Sequence, residues 1–177
     1  MINNLKGRQQ IKVDASVDDL QDLDTLCIIL NRAMGIHAQN KIEIDYLIDY
    51  KNGQQEILKK QKDVREEINN KVVMNHAQMV TRNIIGYFLG TPIQYILSGK
   101  SEKQELIDEL NRCVQYEDKA SVDKEIGEYQ SICGTAYRII FRDGIFKDEV
   151  PFEDRALNPS TTFVIYENSI AERPLIG

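Results

Sequence analysis

The sequence predicts an α+β fold: a helical leading portion built around one long buried helix, followed by a small, mainly antiparallel sheet. Two observations carry this. Apolar residues recur at 3.6-residue spacing up to Cys133, and β-branched and aromatic runs cluster after Gly134. No strand–helix–strand alternation suggests parallel βαβ units. Size agrees, because a chain of 177 residues buries roughly 70% of its unfolded surface, enough for a core without metal or disulfide staples. No repeat or low-complexity tract divides the chain, so one α+β region is expected over 1–177.

The elements follow in order. Ser16 with Asp18 and Asp19 supplies an N-cap and an acidic first turn, and Leu20, Leu23, Cys27, Leu30 and Met34 keep helical spacing until Gly35. A shorter pattern at Ile42, Tyr46, Leu47 and Tyr50 stops at Asn52-Gly53, a strong turn signal, and a polar stretch follows. From Asn70, the residues Val73, Ala77, Val80, Ile84, Tyr87 and Phe88 define the longest and most apolar helix, ended by Gly90-Thr91-Pro92. Apolar side chains on both faces near its end predict that it is buried more fully than its neighbours, with Ile84 in the core.

Ile93–Leu97 reads as a short strand. Ser101 to Gln104 forms a capping box that opens a helix with Leu106, Ile107, Leu110, Cys113 and Val114 on one side. The next helix runs from Ser121 to Cys133 with Val122, Ile126, Tyr129 and Cys133 inward, and Gly134 ends it. Ala136–Phe141 reads as a strand turned by Asp143-Gly144 into Ile145-Phe146-Lys147, and Thr161–Tyr166 as a further strand. The apolar tail Pro174-Leu175-Ile176 is expected to join another strand.

Twenty-two basic against 28 acidic residues give a net charge of −6, which argues against a protein that holds nucleic acid by neutralising phosphates. The excess is concentrated in 101–177, with 9 basic and 16 acidic side chains. Cys27, Cys113 and Cys133 are odd in number and lack a CxxC pair. They read as reduced thiols, Cys27 and Cys133 among apolar neighbours. The start Met1-Ile2-Asn3-Asn4-Leu5-Lys6 lacks the regions of a signal peptide, and no apolar run nears the ~18 residues of a membrane span. A chain made and kept in a cytosol is expected.

Catalytic signals are weak. Gly99-Lys100-Ser101 invites a phosphate-loop reading, and with it a small phosphate-binding enzyme, but Gln94 stands where the pattern needs glycine and Tyr95-Ile96-Leu97 is bulky. A helix N-cap after a turn explains the same residues. His37 and His76 have no His or Cys at metal-ligand spacing; a Ser-His-Asp grouping from distant positions stays open. The pairs Asp18-Asp19, Glu66-Glu67 and Asp148-Glu149 could serve metal-dependent hydrolysis, although solvated faces account for them more simply. The tyrosines are not interleaved with basic residues as a single-strand stacking platform would be. No catalytic, cofactor or metal-ligating residue is assigned.

Three segments read together, Tyr50-Lys51-Asn52-Gly53-Gln54-Gln55-Glu56-Ile57, Asn69-Asn70-Lys71-Val72-Val73-Met74-Asn75 and Gly86-Tyr87-Phe88-Leu89-Gly90-Thr91-Pro92-Ile93, resemble the N-terminal part of siphophage-type portal proteins of tailed bacteriophages. Ser131–Tyr137 resembles the family's helix-Gly-x-Ala-Tyr entry into a hairpin, and Leu157-Asn158-Pro159 with Phe163–Asn168 its next strand. The matching positions are Tyr50, Gly53, Asn70, Asn75, Gly86, Gly90, Pro92, Gly134, Tyr137, Pro159 and Tyr166.

The resemblance implies a structural, non-enzymatic subunit of a dodecameric ring at one capsid vertex, through which DNA passes without sequence-specific binding. It implies assembly in the bacterial host cytoplasm, a place in the virion, and no membrane or cofactor. The terminase large subunit, scaffolding and capsid proteins and head-completion proteins are the partners implied. Family members are longer, with stem, clip and crown, so the chain is expected to be the wing part of a longer polypeptide or a prophage remnant. A free-standing helical interaction module is the remaining alternative.

Overall fold

The computed structural model describes residues 7–61, 64, 69–99, 103–142 and 152–177. Strand β1 (Ile11–Val13) precedes helix α1 (Leu23–Lys51), α2 (His76–Leu89), α3 (Gln104–Tyr116) and α4 (Lys119–Cys133). Strands β2 (Tyr137–Phe141), β3 (Glu153–Leu157), β4 (Ile165–Glu167) and β5 (Pro174–Ile176) follow. The architecture is α+β, with four helices followed by every strand except β1. The chain forms two compact units, one from Met1–Asp49 with Pro159–Gly177 and the other from Tyr50–Asn158.

In the first unit, β4 lies between β1 and β5. The β1 pairing is parallel, Ile11 opposite Ile165 and Val13 opposite Glu167, and the β5 pairing is antiparallel with an irregularity at Ile165/Tyr166. Ile11, Val13 and Ile165 bury one sheet face against Ile29 and Ala33 of α1, and Leu20, Leu30, Phe163 and Leu175 close the edges of this core. Nothing in the sequence reading anticipated β1. Three residues are too few for a period-2 signal, and the strand exists through its pairing with β4.

Gly35 does not end a helix. The core contacts of Ile29 and Ala33 before it and the buried Ile44 beyond it keep one face inward, so α1 runs through as a single 29-residue helix. A glycine inside costs only about 1 kcal/mol. The start also differs: Asp19 accepts hydrogen bonds from the Ser16 amide and hydroxyl, both at 2.8 Å, in front of a short 3₁₀ turn, Asp19–Gln21. Asp22 caps α1 instead, accepting from the Thr25 amide (3.0 Å) and hydroxyl (2.6 Å). Cys27 is exposed, against expectation, while Cys113 and Cys133 are buried.

In the second unit, α4 packs against α2, α3 and β3. Gly127 lets α2 approach closely, since a Cβ there would lie 2.7 Å from Leu89 Cδ1. Gly134 ends α4 in the left-handed conformation (φ 64°), its amide bonded to Gln130 O, as the sequence indicated. Strand β2 pairs antiparallel with β3, Tyr137 opposite Leu157 and Phe141 opposite Glu153. The expected turn at Asp143-Gly144 and the return at Ile145–Lys147 lie outside the described residues.

Helix α2 departs from expectation in two ways. It begins at His76 rather than Asn70, because Asn75 is its N-cap and accepts from the Gln78 amide at 3.2 Å. It is also not the longest helix, nor a fully buried one. Thr81 is its buried residue, whereas Val80, Ile84, Tyr87 and Phe88 are exposed. One face meets α4 and the other apolar face meets solvent. Ile93–Leu97 forms no strand; Asn111 of α3 brackets Tyr95, donating to its carbonyl (2.9 Å) and accepting from its amide (3.1 Å), and so takes the place of a strand partner. The capping-box residues Ser101 and Glu102 lie outside the described residues, and α3 opens after Lys103 with no side-chain cap.

Candidate functional site

The second unit holds two features that bear on function, a network of charges inside and an apolar stripe outside. Asp154, 3% exposed on β3, receives Arg138 of β2 in a fork, Nε to Oδ1 and Nη2 to Oδ2, both at 2.8 Å. The same guanidinium donates to Asp123 of α4 at 2.7 Å, and Lys119 donates to the other Asp123 oxygen. Glu117 accepts from the Asp154 amide at 3.4 Å. Its hydrogen bonds to Asp154, then to Asp123, raise the Arg138 pKa and hold it charged. Each cation faces a carboxylate, so the network ties the hairpin to α4.

A cleft of about 450 Å³ lies beside it, lined by residues that include Pro92, Ile93, Asn111, Asp118, Lys119 and Asp123. Among the described residues its ammonium is Lys119, which is paired with Asp123, and Asp118 adds a second carboxylate to the wall. Such a wall repels phosphate. Gly99 has φ +92° with open space around it, while Lys100 and Ser101 lie outside the described residues. Among the described residues, no three His, Cys, Asp or Glu side chains gather as a metal site.

In the first unit, the imidazole Nε2 of His37 donates to the Ser160 carbonyl at 3.0 Å, and its ring lies 4.9 Å from that of Phe163. Lys41 donates to Ser160 Oγ at 2.7 Å, and that hydroxyl donates to Asp45. Serine, histidine and aspartate thus come together, but not as a triad: His37 reaches the carbonyl, not the hydroxyl, and Ser160 is buried. The cluster fastens the 159–163 loop to α1. Sequence reasoning missed it because its members are more than a hundred residues apart in the chain.

Of the family-like positions, three are brought together. Gly53 (φ +89°) turns the chain after α1, its amide bonded to Tyr50 O at 3.1 Å. Asn75 donates to Lys51 O at 2.6 Å, with its amide nitrogen 3.6 Å from where a Gly53 Cβ would stand. Asn75 therefore caps α2 and fastens it to the end of α1, and Lys51 is anchored by Glu128 of α4. The others are dispersed. Asn70 is exposed outside any element; Gly86 lies within α2, Gly90 caps its end and Pro92 lines the cleft. Gly134 and Tyr137 bridge α4 and β2. Pro159 is fully buried and Tyr166 sits in β4 opposite Lys12, both in the first unit.

The apolar stripe completes the picture. Val80, Ile84, Tyr87 and Phe88 follow i, i+4, i+7, i+8 spacing on α2. Tyr87 is 86% and Phe88 73% exposed, and their rings meet edge to face at 5.4 Å.

Comparison with known families puts the chain among the phage portal proteins, a structural class. The matching description is phage portal protein, SPP1 Gp6-like, over residues 31–177, and the chain belongs to that family. The match takes in most of α1 and everything after it, and leaves β1 outside. Comparison with curated proteins gives no match.

Proposed function

We propose that the chain is the wing part of a portal subunit, one of a ring of about a dozen copies that forms the DNA conduit at the capsid vertex during packaging and ejection. The family match over residues 31–177 carries this reading. Self-paired charges around Arg138 agree with a scaffold that performs no catalysis itself. The acidic balance of −6 suits a conduit that lets DNA slide without holding it. Terminase, scaffolding and capsid proteins and head-completion proteins are the partners, the finished ring resides in the virion, and the family-like turn at Tyr50, Gly53 and Asn75 is a structural joint. No described helix is long and apolar enough to cross a membrane.

Native mass spectrometry of the product of the full reading frame tests this. A closed ring of about a dozen copies is the expected result for a cyclic assembly. A strict monomer at all concentrations overturns it.

A further inference from the structure

We infer that the α2 stripe of Val80, Ile84, Tyr87 and Phe88 is a contact between neighbouring copies of this chain. The inference rests on the ring reading above and assigns it a surface.

Two observations point to a second copy as the occupant. The first is area. With 86% and 73% of their surfaces open, Tyr87 and Phe88 alone expose roughly 300 Å² of mostly apolar ring. One partner of a standard interface contributes about 800 Å², so two side chains supply more than a third of it, and Val80 and Ile84 extend the patch. A patch of roughly 300–600 Å² is the largest that a typical monomer leaves uncovered, and patches in that range are often functional.

The second is chemistry. Helix α2 contains no Asp or Glu, and its one Lys or Arg is Arg82. At 100° per residue, Arg82 lies on roughly the opposite side of the helix from Ile84. Copy-to-copy interfaces have the most apolar cores, with charged residues depleted. Aromatic anchors at the centre of such a surface carry most of its binding energy.

The test uses the full chain. Tyr87→Asp with Phe88→Asp is expected to weaken self-association by at least about tenfold, as loss of hot-spot aromatics does, and to leave the circular dichroism spectrum unchanged, with only a small fall in the melting temperature of the dissociated chain from helix propensity and two carboxylates in the last turn of α2. Arg82→Asp, on the far side of the same helix, is expected to leave association unchanged. As a second readout, Tyr87→Cys should resist maleimide labelling in the assembly and react in dissociated protein, with the labelled peptide identified by mass spectrometry. Wild-type assembly by the doubly charged variant, or equal labelling in both states, overturns the α2 contact while the ring reading stands. A wild-type chain that never associates overturns both.

Discussion

Arg138 holds Asp154 in a two-bond fork across the β2–β3 pair, two residues out of register, and the Nη2 of that fork also donates to Asp123 on α4. This guanidinium ties the hairpin to the helix. Removing it strands a carboxylate that is 3% exposed, and breaking one side of a buried pair costs about 3–5 kcal/mol. Part of the Arg138 side chain is in solvent, so Arg138→Met should cost about 3 kcal/mol, at the low end of that range. Asp123→Asn leaves Arg138 its fork but takes the charge from the bonds to Arg138 and to the mostly buried Lys119, and should cost about 2 kcal/mol. Urea unfolding checks the ranking, and equal losses would show that the fork is not the main tie.

Gly35 lies in the interior of α1, and a Cβ placed on it meets nothing within 4 Å. Alanine removes unfolded-state freedom without a clash. Gly35→Ala should therefore stabilise the chain by about 0.5–1 kcal/mol, read as a raised melting temperature.

That glycine also marks where the sequence stops being legible. Helix periodicity identified α4 within two residues and the end of α2, because Gly134 and Gly90 terminate patterns whose apolar faces are then finished. Gly35 interrupts a pattern whose buried face resumes at Ile44, and local signals cannot weigh that later burial against the cost of one glycine. Burial itself was misjudged on α2. Apolar spacing marks Ile84 and Phe88 as one apolar face, and it does not show whether the rest of the chain covers that face. The fork at Arg138 and the cluster at Ser160 depend on tertiary placement and left no trace in spacing. The turn at Gly53 and the family-like segments were legible as residue patterns, although the bond from Asn75 to Lys51 was not.

Asp22 offers a pH test. Hydrogen bonds from the Thr25 hydroxyl and amide hold its carboxyl below the ordinary 3.8. A depressed folded value means that the cap contributes fully above 3.8 and loses its contribution as pH falls through the lowered value. Asp22→Ala should thus lower the melting temperature at pH 7, with the gap to wild type narrowing as pH falls below 3.8. Asp22→Asn, which still accepts from both groups, should recover much of the loss at pH 7. A gap that is constant with pH would mean that the charge plays no part.

Two isoleucines separate the true core from the surface that looks like core in sequence. Ile165 is fully buried at the centre of the first unit, between β1 and β5 and against α1. Truncation there leaves a cavity among side chains that cannot all collapse inward, so Ile165→Ala should cost about 2–5 kcal/mol. Ile84 has the stronger helical pattern around it but is 42% exposed. An aspartate at that position can turn its carboxylate to water, and Ile84→Asp should cost about 1 kcal/mol, mainly lost apolar contact and helix propensity. Sequence periodicity alone would order the two the other way, with the charge at 84 unfolding the domain. Chemical denaturation of both variants under conditions where the chain is monomeric decides between these orders. A loss at Ile84 that equals or exceeds the loss at Ile165 would place the hydrophobic centre on α2.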